Sequence, residues 1–92
     1  MMGKAYFSYQ ADRDINEISE FIALDKPDAA ERWLINIRSA CERLAEFPEL
    51  GERQPKVKIP DCRVFSAGDY LIFYQQVPDG VAIARVIHGS QN

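Results

Sequence analysis

Two stretches of the chain repeat their apolar residues at helical intervals, and four shorter ones read as strands. Ala11, Ile15, Ile18 and Ile22 recur at steps of four, three and four, which places them on one face of a helix. Ser8 ahead of them is a good N-cap residue, and the spacing predicts a first helix over residues 9–24. Asp12, Asp14, Glu17 and Glu20 fall elsewhere around it, mostly in its first half, where carboxylates complement the helix dipole. Ala30, Leu34, Ile37, Cys41 and Leu44 step by four, three, four and three, and Trp33, Ala40 and Phe47 widen that stripe. Pro27 suits the first turn of this second helix, which should end near Phe47, before Pro48. The link Asp25-Lys26-Pro27-Asp28 is so short that the helices must fold back as an antiparallel hairpin.

The strand candidates are Lys4–Phe7, Cys62–Ala67, Tyr70–Val77 and Val81–His88, with turns at Gly68-Asp69 and Pro78-Asp79-Gly80. Residues 48–61, with three prolines and a glycine, form the longest irregular segment. The order is β-α-α-β-β-β. This predicts an α+β fold in which a helical hairpin packs on one face of a mostly antiparallel sheet. Val81–His88 is apolar and β-branched apart from Arg85 and His88, the composition of a central strand. A permanent charge at Arg85 then needs a partner.

Composition sets limits on function. Ninety-two residues make a single domain, 1–92. No apolar run approaches the ~20 residues of a membrane span, and Met1-Met2-Gly3-Lys4 does not read as a signal peptide, so a cytoplasmic protein without a membrane partner is expected. Cys41 and Cys62 lack metal-site spacing and read as two buried thiols rather than a disulfide; no metal or cofactor is expected. The net charge of −3 is uneven: residues 1–52 carry eleven acids against six bases, and residues 53–92 three acids against five. So few cations argue against direct, specific nucleic-acid binding. They leave a local basic patch of Arg53, Lys56 and Lys58.

Few residues could carry chemistry. His88 would need an orienting partner and a nucleophile to act as a base, and with Ser90 two residues on and no glycine elbow a hydrolase triad is weak. A half-exposed strand-end histidine bonded to a neighbouring strand or loop is preferred. Arg63 and Arg85 could converge on one face to bind a phosphate or carboxylate. Each pairing with a local acid is preferred, because too few other cations complete a phosphate site. Tyr70 and Tyr74 share a face, either as a docking surface or as the margin of the core. Asp14 and Glu17 could share a cation, but a solvated helix face is the better reading.

Taken in order, these residues resemble the ParE branch of the RelE/ParE toxins of bacterial type II toxin–antitoxin systems. The resemblance runs almost end to end. It rests on Ala11 with Asp14-Ile15 and Ile18, then Pro27-Asp28-Ala29-Ala30, then Leu44-Ala45-Glu46-Phe47-Pro48-Glu49-Leu50-Gly51. Arg63, Tyr70-Leu71-Ile72-Phe73-Tyr74 and Ala84-Arg85-Val86-Ile87-His88-Gly89 follow, the last similar to the family's Arg-Val-Leu-His-Gly signature.

The resemblance implies a toxin, linked to plasmid stabilisation, that inhibits DNA gyrase and is neutralised by a ParD-like antitoxin encoded nearby. The alternatives are a ribosome-dependent mRNA endoribonuclease of RelE type, or a non-toxic relative that keeps antitoxin binding. RNA-cleaving relatives carry an arginine where this chain has Leu71 and a basic residue near Gln91, so the gyrase reading is preferred and no catalytic residue is assigned. Were the chain a nuclease, Arg63, Arg85 and His88 would carry the reaction. The candidates for antitoxin or target binding are Arg53, Lys56, Lys58, Arg63, Tyr70, Tyr74, Arg85 and His88. After Gly89, Ser90-Gln91-Asn92 replaces the basic–acidic pair and apolar tail common in the family, and a difference in function is expected there.

Overall fold

The computed structural model describes residues 3–91, with side chains through Ser90. Its elements are β1 (Lys4–Phe7), α1 (Tyr9–Asp25), α2 (Pro27–Glu46), β2 (Glu52–Arg53), β3 (Arg63–Ala67), β4 (Tyr70–Val77) and β5 (Gly80–His88). Short 3-10 turns cover Pro48–Leu50 and Gly89–Gln91. The family-specific expectation for the residues after Gly89 falls mainly on Gln91 and Asn92, whose side chains lie outside the described residues.

Both helices start and stop for local reasons. The Ser8 hydroxyl accepts the Ala11 N–H at 2.9 Å and so caps α1. Pro27 opens α2, where its missing N–H costs nothing. Pro48 follows α2 closely, and the Phe47 N–H closes the last turn on Arg43.

The sheet runs β1-β5-β4-β3-β2, antiparallel except for the parallel β1–β5 pair. Cross-strand partners share a face, so Phe65, Ile72 and Val86 point one way with Tyr74 and Ile83. These residues meet Ala11, Ile37, Cys41 and Leu44 of the hairpin in the core. Leu71, Phe73 and Gln75 point away from the helices. Phe73 is buried even there, outside the main cluster. Cys41 and Cys62 are free and buried, and burial, helped by the Glu42 charge, pushes the Cys41 thiol up to about 12.

Two features depart from the expected pattern. Residues 48–61 are not wholly irregular, since Glu52 and Arg53 pair with Val64 and Arg63 as a short edge strand. Two residues carry too little alternation to register as a strand in a sequence. The second feature is a bulge in β5. Tyr74 pairs with Ile83 and Phe73 with Arg85, which leaves Ala84 unmatched. The extra residue lets Ile83 and Val86, three apart, both face the core, and it turns Arg85 to the other side.

Candidate functional site

The bulge coincides with the place where β1 ends. β1 covers only Gly80–Ile83 of β5, so residues 84–88 would present a bare strand edge. The start of α1 covers it. Ser8 donates its N–H to the Ile83 carbonyl at 3.0 Å and its hydroxyl to the Ala84 carbonyl at 2.9 Å. Asp14 Oδ2 then accepts the Val86 N–H at 2.9 Å.

The same carboxylate takes Arg85. Arg85 Nε donates to Asp14 Oδ2 at 2.8 Å and an Arg85 Nη to Oδ1 at 3.0 Å, a two-point clasp, while Gln10 adds a bond at 3.2 Å. The Asp14 side chain is 7% exposed and that of Arg85 46%. Burial by itself would raise the Asp14 pKa, but the bonds from Arg85, Val86 and Gln10 and the guanidinium charge outweigh it and hold the carboxyl below its ordinary value. Asp14 is therefore not part of a solvated face, as its sequence position suggested. Nor does it share a cation with Glu17, which pairs instead with Arg13. The signal was present in the helical spacing, because Asp14 lies three residues after Ala11 and four before Ile18, at the margin of the buried stripe.

Arg63 lies elsewhere. It pairs in register with Tyr74 on the helix-facing side, whereas Arg85 pairs with Phe73 on the opposite side, so the two do not converge. Nor, among the described residues, does Arg63 pair with an acid. One of its terminal nitrogens donates to the carbonyls of Gly51 at 2.7 Å and Glu49 at 3.4 Å. A turn that ends a helix leaves carbonyls pointing outward, and a guanidinium can satisfy several at once.

Tyr74 serves the same turn from within. Its hydroxyl donates to the Pro48 carbonyl at 2.6 Å and accepts the Gly51 N–H at 2.8 Å, and the residue is 0% exposed. A Cβ at Gly51 would lie 2.5 Å from that hydroxyl oxygen and 2.8 Å from the Val64 carbonyl, so the turn requires glycine. Tyr74 is thus buried in this chain, with its hydroxyl engaged by the turn. Tyr70 also faces the helices, packed edge-on against Trp33 at 5.2 Å and His88 at 5.1 Å between ring centres. Both tyrosines thus lie on the helix-facing side of the sheet, Tyr74 within the core and Tyr70 at its margin.

His88 is half-buried at the end of β5. Its Nδ1 lies 3.1 Å from the Ser90 N–H and 2.6 Å from Ser90 Oγ. Among the described residues no carboxylate bonds to it, so the orienting member of a triad is missing. His88 pairs with Tyr70 and Arg63 with Tyr74, four residues along β4 and on its two sides. Strand geometry then separates their backbones by on the order of 16 Å. Arg53, Lys56 and Lys58 are exposed on β2 and the segment that follows. Among the described residues no three His, Cys, Asp or Glu side chains gather as a metal would need, and no helix is long and apolar enough to cross a membrane.

Known proteins share both the sequence and the fold. Residues 5–92 match the model of the family described as ParE toxin of type II toxin-antitoxin system, parDE. Toxin RelE3 of Caulobacter vibrioides is 33% identical over 79 residues, which covers 86% of each chain. Toxin ParE1 of Mycobacterium tuberculosis is 32% identical over 62 residues, 66% of this chain and 62% of that one. A solved structure titled "Chromosomal ParDE TA system from P. aeruginosa" superposes with a TM-score of 0.77 at 16% identity, covering 95% of this chain and 96% of that one. The helical hairpin on a mostly antiparallel sheet is thus the fold of that toxin. The chain belongs to the ParE toxin family of type II toxin–antitoxin systems.

Proposed function

We propose that this toxin acts through protein contact, by inhibiting DNA gyrase in the cytoplasm, and that a ParD-like antitoxin neutralises it by direct binding. The observation that carries the reading is the dispersal of its cations. Arg63 and Arg85 leave opposite faces of the sheet, and both are engaged, one by carbonyls and the other by Asp14. Cleaving a phosphodiester needs positive groups within a few ångströms of the same phosphate, where charge builds in the transition state. Leu71, on the open face, adds none. Membership of the ParE family, together with the ParDE title of the structural neighbour, supports a cognate antitoxin.

The name of the Caulobacter relative favours a second reading, a ribosome-dependent mRNA endoribonuclease of RelE type. A third is a relative that binds antitoxin without toxicity. Induced expression with and without the adjacent gene separates the three. The gyrase reading expects growth arrest, loss of plasmid supercoiling and intact messages, all reversed by the adjacent gene. Arrest with cut messages and normal supercoiling supports the nuclease, and unimpaired growth supports the non-toxic relative.

A further inference from the structure

Three cations crowd onto the end of β2 and the segment that joins it to β3, and among the described residues none has an acid partner. Among the described residues the ion pairs are Arg13–Glu17 and Arg85–Asp14, which leave Arg53, Lys56 and Lys58 unpaired. All three are exposed. Arg53 also sits directly opposite Arg63 in the β2–β3 ladder, and like charges so placed destabilise a sheet. Arg63 is relieved by the Gly51 and Glu49 carbonyls. Arg53 has no such outlet among the described residues.

The segment is held in a set shape. Gln54 N–H donates to the Cys62 carbonyl at 2.8 Å, and Cys62 N–H to the Ile59 carbonyl at 3.2 Å. Gln75 Nε2 donates to the Pro60 carbonyl at 2.7 Å and ties the segment to β4. Pro55 and Pro60 restrict the backbone further. A groove of about 470 Å³ runs along it, with half-buried Val57 and Ile59 set among the two cations Arg53 and Lys58 and one acid, Asp61. Basic and apolar residues alternate as Lys56-Val57-Lys58-Ile59. The chemistry complementary to that is an extended segment in which acidic and apolar residues alternate.

We propose that residues 53–62 form the docking surface for an acidic, apolar-bearing stretch of the antitoxin, an inference that rests on the partner reading above. Charge steers it there. The five excess acids of residues 1–52 repel an anionic polypeptide from the hairpin, while the two excess bases of residues 53–92 attract it to this end. A preshaped loop also loses little entropy on binding. Duplex nucleic acid fits the surface less well. Three cations neutralise few phosphates, the acidic hairpin repels the backbone, and Val57 and Ile59 gain nothing from a phosphate chain.

Zero-length carbodiimide coupling of the purified complex, read by peptide mass spectrometry, reports which toxin amines touch antitoxin carboxylates. The lysines are Lys4, Lys26, Lys56 and Lys58, so the readout is a choice between regions. Cross-links at Lys56 and Lys58 are expected; cross-links confined to Lys4 and Lys26 overturn the proposal. In parallel, K56E/K58E should weaken antitoxin binding about ten-fold or more at low salt and flatten its salt dependence, chiefly through slower association. R32E/R38E changes net charge equally on exposed positions of α2 and should stay within about two-fold. Equal weakening by both variants, or by neither, overturns the assignment, and matching thermal melts establish that the variants fold. Binding of a 20-base-pair duplex that K56E/K58E abolishes would assign the surface to nucleic acid instead. Absence of any antitoxin binding by the unmodified chain overturns the partner reading and this one together, whereas unchanged binding by K56E/K58E overturns this one alone.

Discussion

Replacing Asp14 by alanine removes the group that closes the β5 edge, and the cost can be worked from its contacts. The Val86 N–H is buried, and Asp14 is the partner the structure gives it. Leaving such a donor unpaired costs about 1–3 kcal/mol. The Arg85 clasp adds less, because the arginine side chain is 46% exposed and its charge returns partly to water, so about 1 kcal/mol is a ceiling. Together these give about 1–4 kcal/mol, which for a chain of this length lowers the Tm by roughly 5–25 °C. Asp14→Asn keeps one oxygen for the Val86 N–H but loses the charge and turns an amide NH2 toward the Arg85 and Gln10 donors, so about 1–2 kcal/mol is expected, less than for alanine. Urea unfolding followed by circular dichroism measures both.

The pH dependence gives a second check on the same residue. Asp14 has a lowered pKa in the folded chain, so its contribution is complete above the unfolded value of about 4 and is lost as pH falls through the folded value. The gap between the unmodified chain and Asp14→Asn should therefore shrink as pH falls below about 5 and on through the lowered folded value. An Asp14→Ala variant within about 0.5 kcal/mol of the unmodified chain would refute the edge-closing role, as would an asparagine variant as unstable as the alanine one.

Other perturbations test the turn and the reading of the cations. Tyr74→Phe strands the Gly51 N–H and the Pro48 carbonyl and should cost about 1–3 kcal/mol, with faster amide exchange confined first to residues 49–53. Gly51→Ala forces a Cβ against the Val64 carbonyl and should cost about 1–3 kcal/mol, and combined with Tyr74→Phe it should be less than additive, since both changes act on one contact. Leu71→Arg restores an arginine on the open face. It should not produce message cleavage in a translation-coupled reporter, because Arg85 stays clasped by Asp14 and Arg63 lies on the other face. Cleavage above background would show that one missing cation was all that separated this chain from a nuclease.

The elements were legible in the sequence because they follow from periodicity and punctuation. Stripes through Ile15 and Ile37, the Ser8 cap and Pro27 fix the hairpin, and the turns at Gly68 and Pro78 fix the meander. Long-range pairings were less legible. That Arg85 needs a partner follows from its apolar strand, but the partner lies 71 positions away and becomes available only where β1 stops and α1 crosses the edge. The motif Phe47-Pro48-Glu49-Leu50-Gly51 was recognised as a family feature without a physical reason. The reason is Tyr74, whose hydroxyl spans the turn. The bulge at Ala84 shifts the alternation by one residue, so no strict period of two could have shown which way Arg85 points.

A purified supercoiling reaction puts the central claim, a toxin that acts by contact rather than by phosphate chemistry, to its most direct test. Relaxed plasmid, gyrase and ATP are incubated with increasing toxin, and a matched ribosome reaction follows cleavage of a reporter message. The account predicts that supercoiling falls as toxin approaches and exceeds gyrase, that prior mixing with the antitoxin restores it, and that the message stays whole. Full supercoiling at excess toxin, with the message cut on the ribosome, would contradict it.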